Sequence, residues 1–153
     1  MIIKRALIAD AKEILALQKL SYQSEAAIYN DYTIEPLTQS IEQMRIDIET
    51  KIVLKALIRD RPVGSVRAYA EQNTCYIGKL IVHPDFQGRG IGKSLIREIE
   101  SIFSDTQRFE LFTGHRSKRN IHLYQQLGFT VFRTEPLTEE LTLLYLEKHA
   151  HSC

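Results

Sequence analysis

The apolar positions of this chain follow two rhythms. Ile2 to Ile8, "IIKRALI", has the density of apolar and β-branched residues expected of a strand. Asp10 comes next with Glu13 three residues on, a spacing that predicts a helix cap and a capping box. Ile14, Leu17 and Leu20 or Ser21 then share one helical face. "SYQSEAAIYNDYTIEP", Ser21 to Pro36, breaks the rhythm, being richer in tyrosine and acid and interrupted by proline. Ile41, Met44 or Arg45, and Ile48 restore the helical period.

Three strand-like runs follow: "KIVLKALIRD", "VGSVRAYA" and "TCYIGKLIV". The short polar breaks "RDRP" and "EQN" between them predict an antiparallel meander. Past a glycine-rich loop, Ile91, Leu95, Ile99 and Ile102 form a helical stripe. "RFELFTG" reads as a strand and "SKRNIHLYQQLG" as a helix ended by Gly128. "FTVFRT" and a run near Leu141–Leu146 supply the last two strands. With no repeat and no linker, this predicts one α/β domain over residues 1–153, built on a mixed sheet with helices between some strands.

Composition narrows the function classes. Of the 153 residues 44% are hydrophobic and 25% charged, the balance of a globular chain with a core. Lys plus Arg total 20 against 19 Asp plus Glu, and a net charge of +1 argues against nucleic acid as partner. No apolar run approaches the ~20 residues of a membrane helix, and "MIIKRALIADAKE" lacks a signal core. A cytoplasmic protein, monomeric or homodimeric, is expected. Cys75 and Cys153 predict neither a structural disulfide nor a zinc site, so no metal is expected. His149, His151 and Cys153 read as a polar tail.

The candidate chemistry lies in "VHPDFQGRGIGKS". A strand ends near Val82 and a helix starts near Gly90–Ile91, with Gly88, Gly90 and Gly92 between or at the start. Such a turn lets backbone amides approach a ligand, and the helix end adds unpaired N–H groups and positive dipole, which suits a diphosphate. Arg89 and Lys93 add charge. A P-loop would need glycine where Gln87 stands. The dinucleotide fingerprint fails too, since its third glycine falls on Lys93 or Leu95.

What does fit is Q-x-x-G-x-G at Gln87, Gly90 and Gly92. Here the chain resembles the GNAT family, the Gcn5-related N-acetyltransferases, in which "V-x-P-x-x-Q/R-G-x-G-I-G" joins the fourth strand to the third helix and holds the pyrophosphate of acetyl-CoA. This sequence reads "VHPDFQGRGIG". A second motif agrees: "NIHLYQQLGF", Asn120 to Phe129, matches the family's later helix with its tyrosine and its closing "GF". The order of elements follows the family along nearly the whole chain. The resemblance implies a mixed, mostly antiparallel sheet of about seven strands flanked by about four helices and splayed between the fourth and fifth strands.

It also implies roles. Gln87, Gly88, Arg89, Gly90, Ile91, Gly92, Lys93 and Ser94 would hold the pyrophosphate, and Leu80, Ile81 and Val82 would pair with the pantetheine arm. A backbone N–H near Leu80–Val82 would face the developing oxyanion. Tyr124 would protonate the leaving thiolate, and Asn120, one turn earlier on the same face, would bond the cofactor. Many family members have asparagine where this chain has Ser117. Many also carry a glutamate on the fourth strand as general base, and here that position holds Tyr76. His115 is the candidate replacement, with Glu110 and Glu71 as others, or deprotonation runs through water.

In this family the acceptor pocket is built by the first two helices and their connection. Glu25, Tyr29, Asp31, Tyr32 and Glu35 in that connection, with Tyr69 and Tyr76, suit a cationic amine through charge and cation–π contact. The expected activity is acetyl transfer from acetyl-CoA to a small cationic primary amine by direct attack in a ternary complex. The alternatives are a protein lysine or N-terminus as acceptor, or a CoA-binding module without catalysis.

Overall fold

The computed structural model describes residues 1–150; the tail positions His151 and Cys153 lie outside the described residues. Strand β1 (Ile2–Arg5) stops three residues before the expected end, and Ile8–Asp10 turns as a 3-10 helix. Asp10 explains the stop. Its carboxylate reaches back to accept the Leu7 amide (2.7 Å) and also takes the Lys55 ammonium (2.9 Å). It is therefore not free to cap the following helix, α1 (Ala11–Ser21), and the expected Asp10–Glu13 capping box does not form. Ile14 and Leu17 face the core as their spacing requires, whereas Leu20 is exposed.

The acidic connection holds two short helices, α2 (Gln23–Tyr29) and α3 (Glu35–Thr38), beside the four longer ones expected. Asn30 ends α2 in the left-handed region, and Pro36 sits in the first turn of α3. Ser40 opens α4 (Ile41–Thr50) with a complete capping box: its hydroxyl accepts the Gln43 amide (3.1 Å), and Gln43 Oε1 accepts the Ser40 amide (3.0 Å). Met44 and Ile48 carry the buried face.

The meander is β2 (Ile52–Ile58), β3 (Arg61–Glu71) and β4 (Thr74–Val82). Its two-residue turns, Arg59–Asp60 and Gln72–Asn73, have positive φ at both positions, matching the twist of the flanking strands. Helix α5 (Ile91–Ile102) buries Ile91, Leu95, Ile96 and Ile99; Ile102, expected on this stripe, is 45% exposed at the helix end, and Ile96 fills the face instead. Then come β5 (Arg108–Gly114), α6 (Lys118–Gln126), β6 (Thr130–Pro136) and β7 (Thr142–His149).

The seven strands form one sheet in the order β1-β2-β3-β4-β5-β7-β6, antiparallel except at β4–β5. Helices α5 and α6 pack a large core on one face, through Leu95, Ile96, Ile99, Tyr124 and Leu127 against Val66, Ile77, Phe109 and Leu111. Helices α1 and α4 cover β2–β4 on the other, through Ile14, Leu15, Met44 and Ile48. Among the described residues no helix is long and apolar enough to cross a membrane.

Candidate functional site

The site begins where the only parallel strand pair of the described sheet fails. Strand β4 pairs with β5 at Thr74, Cys75 and Tyr76, and the register ends there. Opposite β3, Ser65 matches Ile81 while Arg67 matches Gly78, so β4 carries one residue more than β3 over this stretch. That bulge is marked by Lys79 at φ 49°. A bulge bends its strand and leaves backbone out of the ladder. The result is a V-shaped gap with residues 80–82 along one wall.

Past β4 the chain makes the glycine turn. Gly88 and Gly90 have φ of 79° and 80°, values that L side chains rarely adopt. Gly90 is the N-cap of α5, and the first amide bonded back to it is that of Ser94. The amides of Ile91, Gly92 and Lys93 are left pointing out of the helix end. Gly92 serves packing instead: a Cβ there would lie 3.2 Å from Leu123 of α6. Above the turn, the Arg119 guanidinium of α6 donates to Gln87 Oε1.

These pieces enclose a cleft of about 920 Å³, of a size that takes a sizeable organic ligand. Val82, Gln87 and the glycine turn form one wall and α6 another, with Lys93, Lys118 and Arg119 bringing positive charge. The third wall is the α1–α2 junction, Ser21 to Ile28. Ser21 Oγ donates to the Val82 carbonyl (3.4 Å), joining that wall to the gap.

A hydrogen-bond chain organises this wall. Ser117 Oγ donates to Glu25 Oε2 (2.6 Å). Having one proton, it must accept from the Tyr29 hydroxyl at 2.7 Å, which itself accepts the Arg116 amide (3.0 Å). A Cβ on residue 114 would lie 1.9 Å from the Tyr29 hydroxyl, which explains Gly114. Asn120 Nδ2 reaches Glu25 Oε1 and Thr113 Oγ1, both at 3.4 Å. Burial pushes the phenols of Tyr22 and Tyr124 well above the ordinary tyrosine range, and Glu25 pushes both further. Both stay protonated donors at neutral pH.

The residues expected to hold the cofactor separate into two groups. Leu80, Ile81, Val82, Gln87, Gly88, Gly90, Ile91, Gly92, Lys93 and Asn120 line the cleft. Arg89 does not; its guanidinium lies over the Phe86 ring, 4.9 Å from the centroid. Ser94 is outside the lining as well, one turn into α5.

Of the acceptor candidates, Glu25 alone lines the cleft. Tyr29 is 5% exposed and bound into the chain just described. Tyr32 is exposed outside the cleft, and Tyr76 stacks on Tyr69 at 5.3 Å. Asp31 accepts the Thr33 amide and hydroxyl, and Glu35 pairs with Lys79 (2.8 Å).

The candidate bases move away from the gap. The Thr142 amide donates to His115 Nδ1 (2.9 Å), and the same nitrogen lies 3.2 Å from the Thr142 carbonyl. His115 thus stitches the end of β5 to the start of β7 and lies outside the cleft lining. Glu110 is held by Arg108 (2.8 Å), and Glu71 is exposed at the far end of β3. Tyr22, Ser24, Arg119 and His122 line the cleft without having been singled out from the sequence. Ser21, Glu25 and Ile28 fall at i, i+4 and i+7, a helical spacing that "SYQSEAAI" displays openly.

Comparison with known proteins places this geometry. The sequence profile described as the acetyltransferase (GNAT) family matches residues 12–129. The UPF0157 protein YqkA of Bacillus subtilis (strain 168) is 25% identical over 154 residues, covering 92% of this chain and 44% of that protein, so the chain spans less than half of that relative. The PaiA N-acetyltransferase from Thermoplasma acidophilum, solved in complex with coenzyme A, superposes with a TM-score of 0.80 at 19% identity, over 97% of this chain and 99% of the other. YncA from Salmonella typhimurium, solved with its cofactor acetyl-CoA, gives 0.79 at 18% identity, over 100% of this chain and 95% of the other. At these identities the two structures share the fold of this chain.

Proposed function

We propose, from the premise that the chain belongs to the GNAT acetyltransferase family, that it binds acetyl-CoA in the cleft and moves the acetyl group to a primary amine by direct attack, residues 1–153 acting as one catalytic domain. The observation that carries this is the joining of the β4–β5 gap to the amide-lined turn at Gly88–Lys93 in one continuous cavity. A diphosphate at the turn and an extended arm along residues 80–82 match those two parts. PaiA with coenzyme A and YncA with acetyl-CoA, similar in fold, support the same cofactor.

In this reading the Ile91–Lys93 amides and Lys93 hold the diphosphate, and the backbone of 80–82 aligns the arm. A bulge amide near Leu80 faces the acyl oxygen. Tyr124 gives the proton to the departing sulfur. The acceptor is a small cationic amine drawn by Glu25. A peptide or protein amine is the second reading, favoured because Asp31 and Glu35 are already engaged and Phe112 stands 55% exposed beside Tyr145 on the uncovered side of β5.

Acetyl-CoA is expected to raise the melting temperature, since a ligand at a hundredfold excess over its Kd adds about 2.7 kcal/mol to a native state it alone binds. No shift at saturation, or an equal one with ATP, sinks the cofactor assignment. Gly90→Val has open space for its side chain, yet it must hold φ 80°, which costs a β-branched residue about 1–2 kcal/mol or reorients the turn. Its affinity for acetyl-CoA by calorimetry should fall about tenfold or more. Native affinity would remove the turn from the diphosphate site.

A further inference from the structure

We propose that Glu25 is the group that takes the proton from the acceptor amine, with Ser117 and Asn120 as its positioning residues; the role rests on the acetyl-transfer reading above. A carboxylate is missing from the strand position where one was sought, because Tyr76 is there, stacked on Tyr69. Glu25 supplies one from helix α2 instead. Among the acids of the Ser21–Pro36 connection it is the one in the cleft wall, Asp31 being turned onto Thr33 and Glu35 onto Lys79.

The carboxylate is oriented from two sides. Ser117 Oγ donates to Oε2 at 2.6 Å, and Asn120 Nδ2 approaches Oε1 at 3.4 Å. Ser117 is in turn fixed by Tyr29. Ser117 is the N-cap residue of α6, yet its hydroxyl makes no bond to the helix amides. An N-cap serine ordinarily uses its hydroxyl for those amides, so its turn towards Glu25 departs from what the helix alone requires. Each Glu25 oxygen keeps lone pairs for a further N–H. Tyr22 lines the cleft with Glu25, and Tyr124, outside that lining, is within electrostatic reach of the same carboxylate.

The proton balance is complete. A carboxylate cannot strip a free ammonium, whose pKa near ~10 is far above the ~4 of a carboxyl group, so the neutral amine is the form that reacts. When its nitrogen bonds the carbonyl carbon it becomes cationic and acidic, and Glu25 takes one N–H proton. The carbon–sulfur bond breaks as Tyr124 gives its phenolic proton to the sulfur. The proton on Glu25 then passes through the solvent of the cleft to the Tyr124 phenolate, the stronger base. One N–H and one C–S bond are exchanged for one C–N and one S–H bond, and both residues return to their starting states.

The test compares Glu25→Gln with the native chain. Gln is isosteric and keeps an acceptor for Ser117, but it cannot take a proton. Its Kd for acetyl-CoA by calorimetry should stay within about twofold of native. Thiol release is then followed with an alanyl N-terminal peptide, a lysyl peptide, spermidine and glucosamine. On whichever amine the native chain uses, kcat should fall about 10²-fold, Glu25→Asp should recover part of it, and Ser117→Ala should lower kcat less than Glu25→Gln. A Glu25→Gln rate within threefold of native overturns the proposal. So does a loss of acetyl-CoA affinity as large as the loss of rate, which would make the carboxylate a structural group. If native chain binds acetyl-CoA but releases thiol with no amine, the transfer reading falls and this proposal with it.

Discussion

Arg67→Ala is expected to lose about 3–5 kcal/mol of stability, the range for breaking a buried ion pair from one side. The side chain is 5% exposed and has four partners. It donates to Asp47 Oδ2 at 2.6 Å, Gln39 Oε1 at 3.0 Å and Gln18 Oε1, and meets Met44 Sδ at 3.1 Å. Truncation leaves two amide oxygens and a carboxylate short of donors, together with a void beneath α1 and α4. Urea unfolding measures this directly, and a change below 1 kcal/mol would mean that water replaces the guanidinium without loss. Replacing both Arg67 and Asp47 by apolar residues of similar volume should recover most of it, because no charge is then left unpaired. The pH dependence has a definite sign. Burial works to raise the Asp47 carboxyl, but the Gln39 hydrogen bond and the charges of Arg67 and Lys51 hold it below 3.8. A depressed carboxyl contributes stability that is complete above its unfolded value and is lost as pH falls through the folded one. Arg67→Ala should therefore show a shallower acid limb below about pH 4. The site would loosen too, since Gln18 Nε2 donates to the Pro36 carbonyl (2.8 Å) and so fastens helix α3 to α1.

The sequence showed most where one residue type answers to one local geometry. Gly88 and Gly90 could be read because left-handed φ has few other occupants, and the β2–β4 meander because its β-branched runs are cut by two polar turns. The Ser40–Gln43 box is equally local, a serine followed three residues on by glutamine. What could not be read depends on distant partners. Helix α2 is seven residues long and helix α3 four, too short to declare a period; α2 is held by Tyr29 and Glu25 meeting Ser117, about ninety positions away. The insertion of β7 between β5 and β6 has no local signature at all. His115 looked like a base because a histidine side chain says nothing of its tautomer. It says nothing of its partner either, which is Thr142 of another strand. Glu25 was visible as an acid in an acidic stretch, but its distinction from Asp31 and Glu35 lies wholly in which neighbours the fold gives each.

Tyr124→Phe is expected to lower kcat about 10³-fold while leaving stability and acetyl-CoA affinity near native. The ring is 5% exposed and packs on Phe129, with centroids 6.2 Å apart, so phenylalanine keeps its contacts. Among the described residues the hydroxyl has no protein hydrogen-bond partner, yet it is not one of the sealed unpartnered atoms, as Ser65 Oγ is. Its removal therefore breaks no native bond and should change unfolding free energy by under about 1 kcal/mol. Burial first, and then Tyr22 and Glu25, push the phenol upward, so the proton is in place at neutral pH. Thiolate is a fair leaving group, but in a low-dielectric cleft beside Glu25 it leaves badly without a proton. The loss should thus appear in kcat and not in binding. Tyr22 provides the sharpest counter-test, because it lines the cleft itself and is likewise raised by burial and by Glu25. Should Tyr124→Phe retain the native rate while Tyr22→Phe loses it, the acid is Tyr22. If neither variant slows thiol release, the sulfur takes its proton from solvent. If Tyr124 and Glu25 act as one relay, the double variant Glu25→Gln with Tyr124→Phe should be little slower than the worse of the singles. Multiplicative losses would show instead that the two protons move independently.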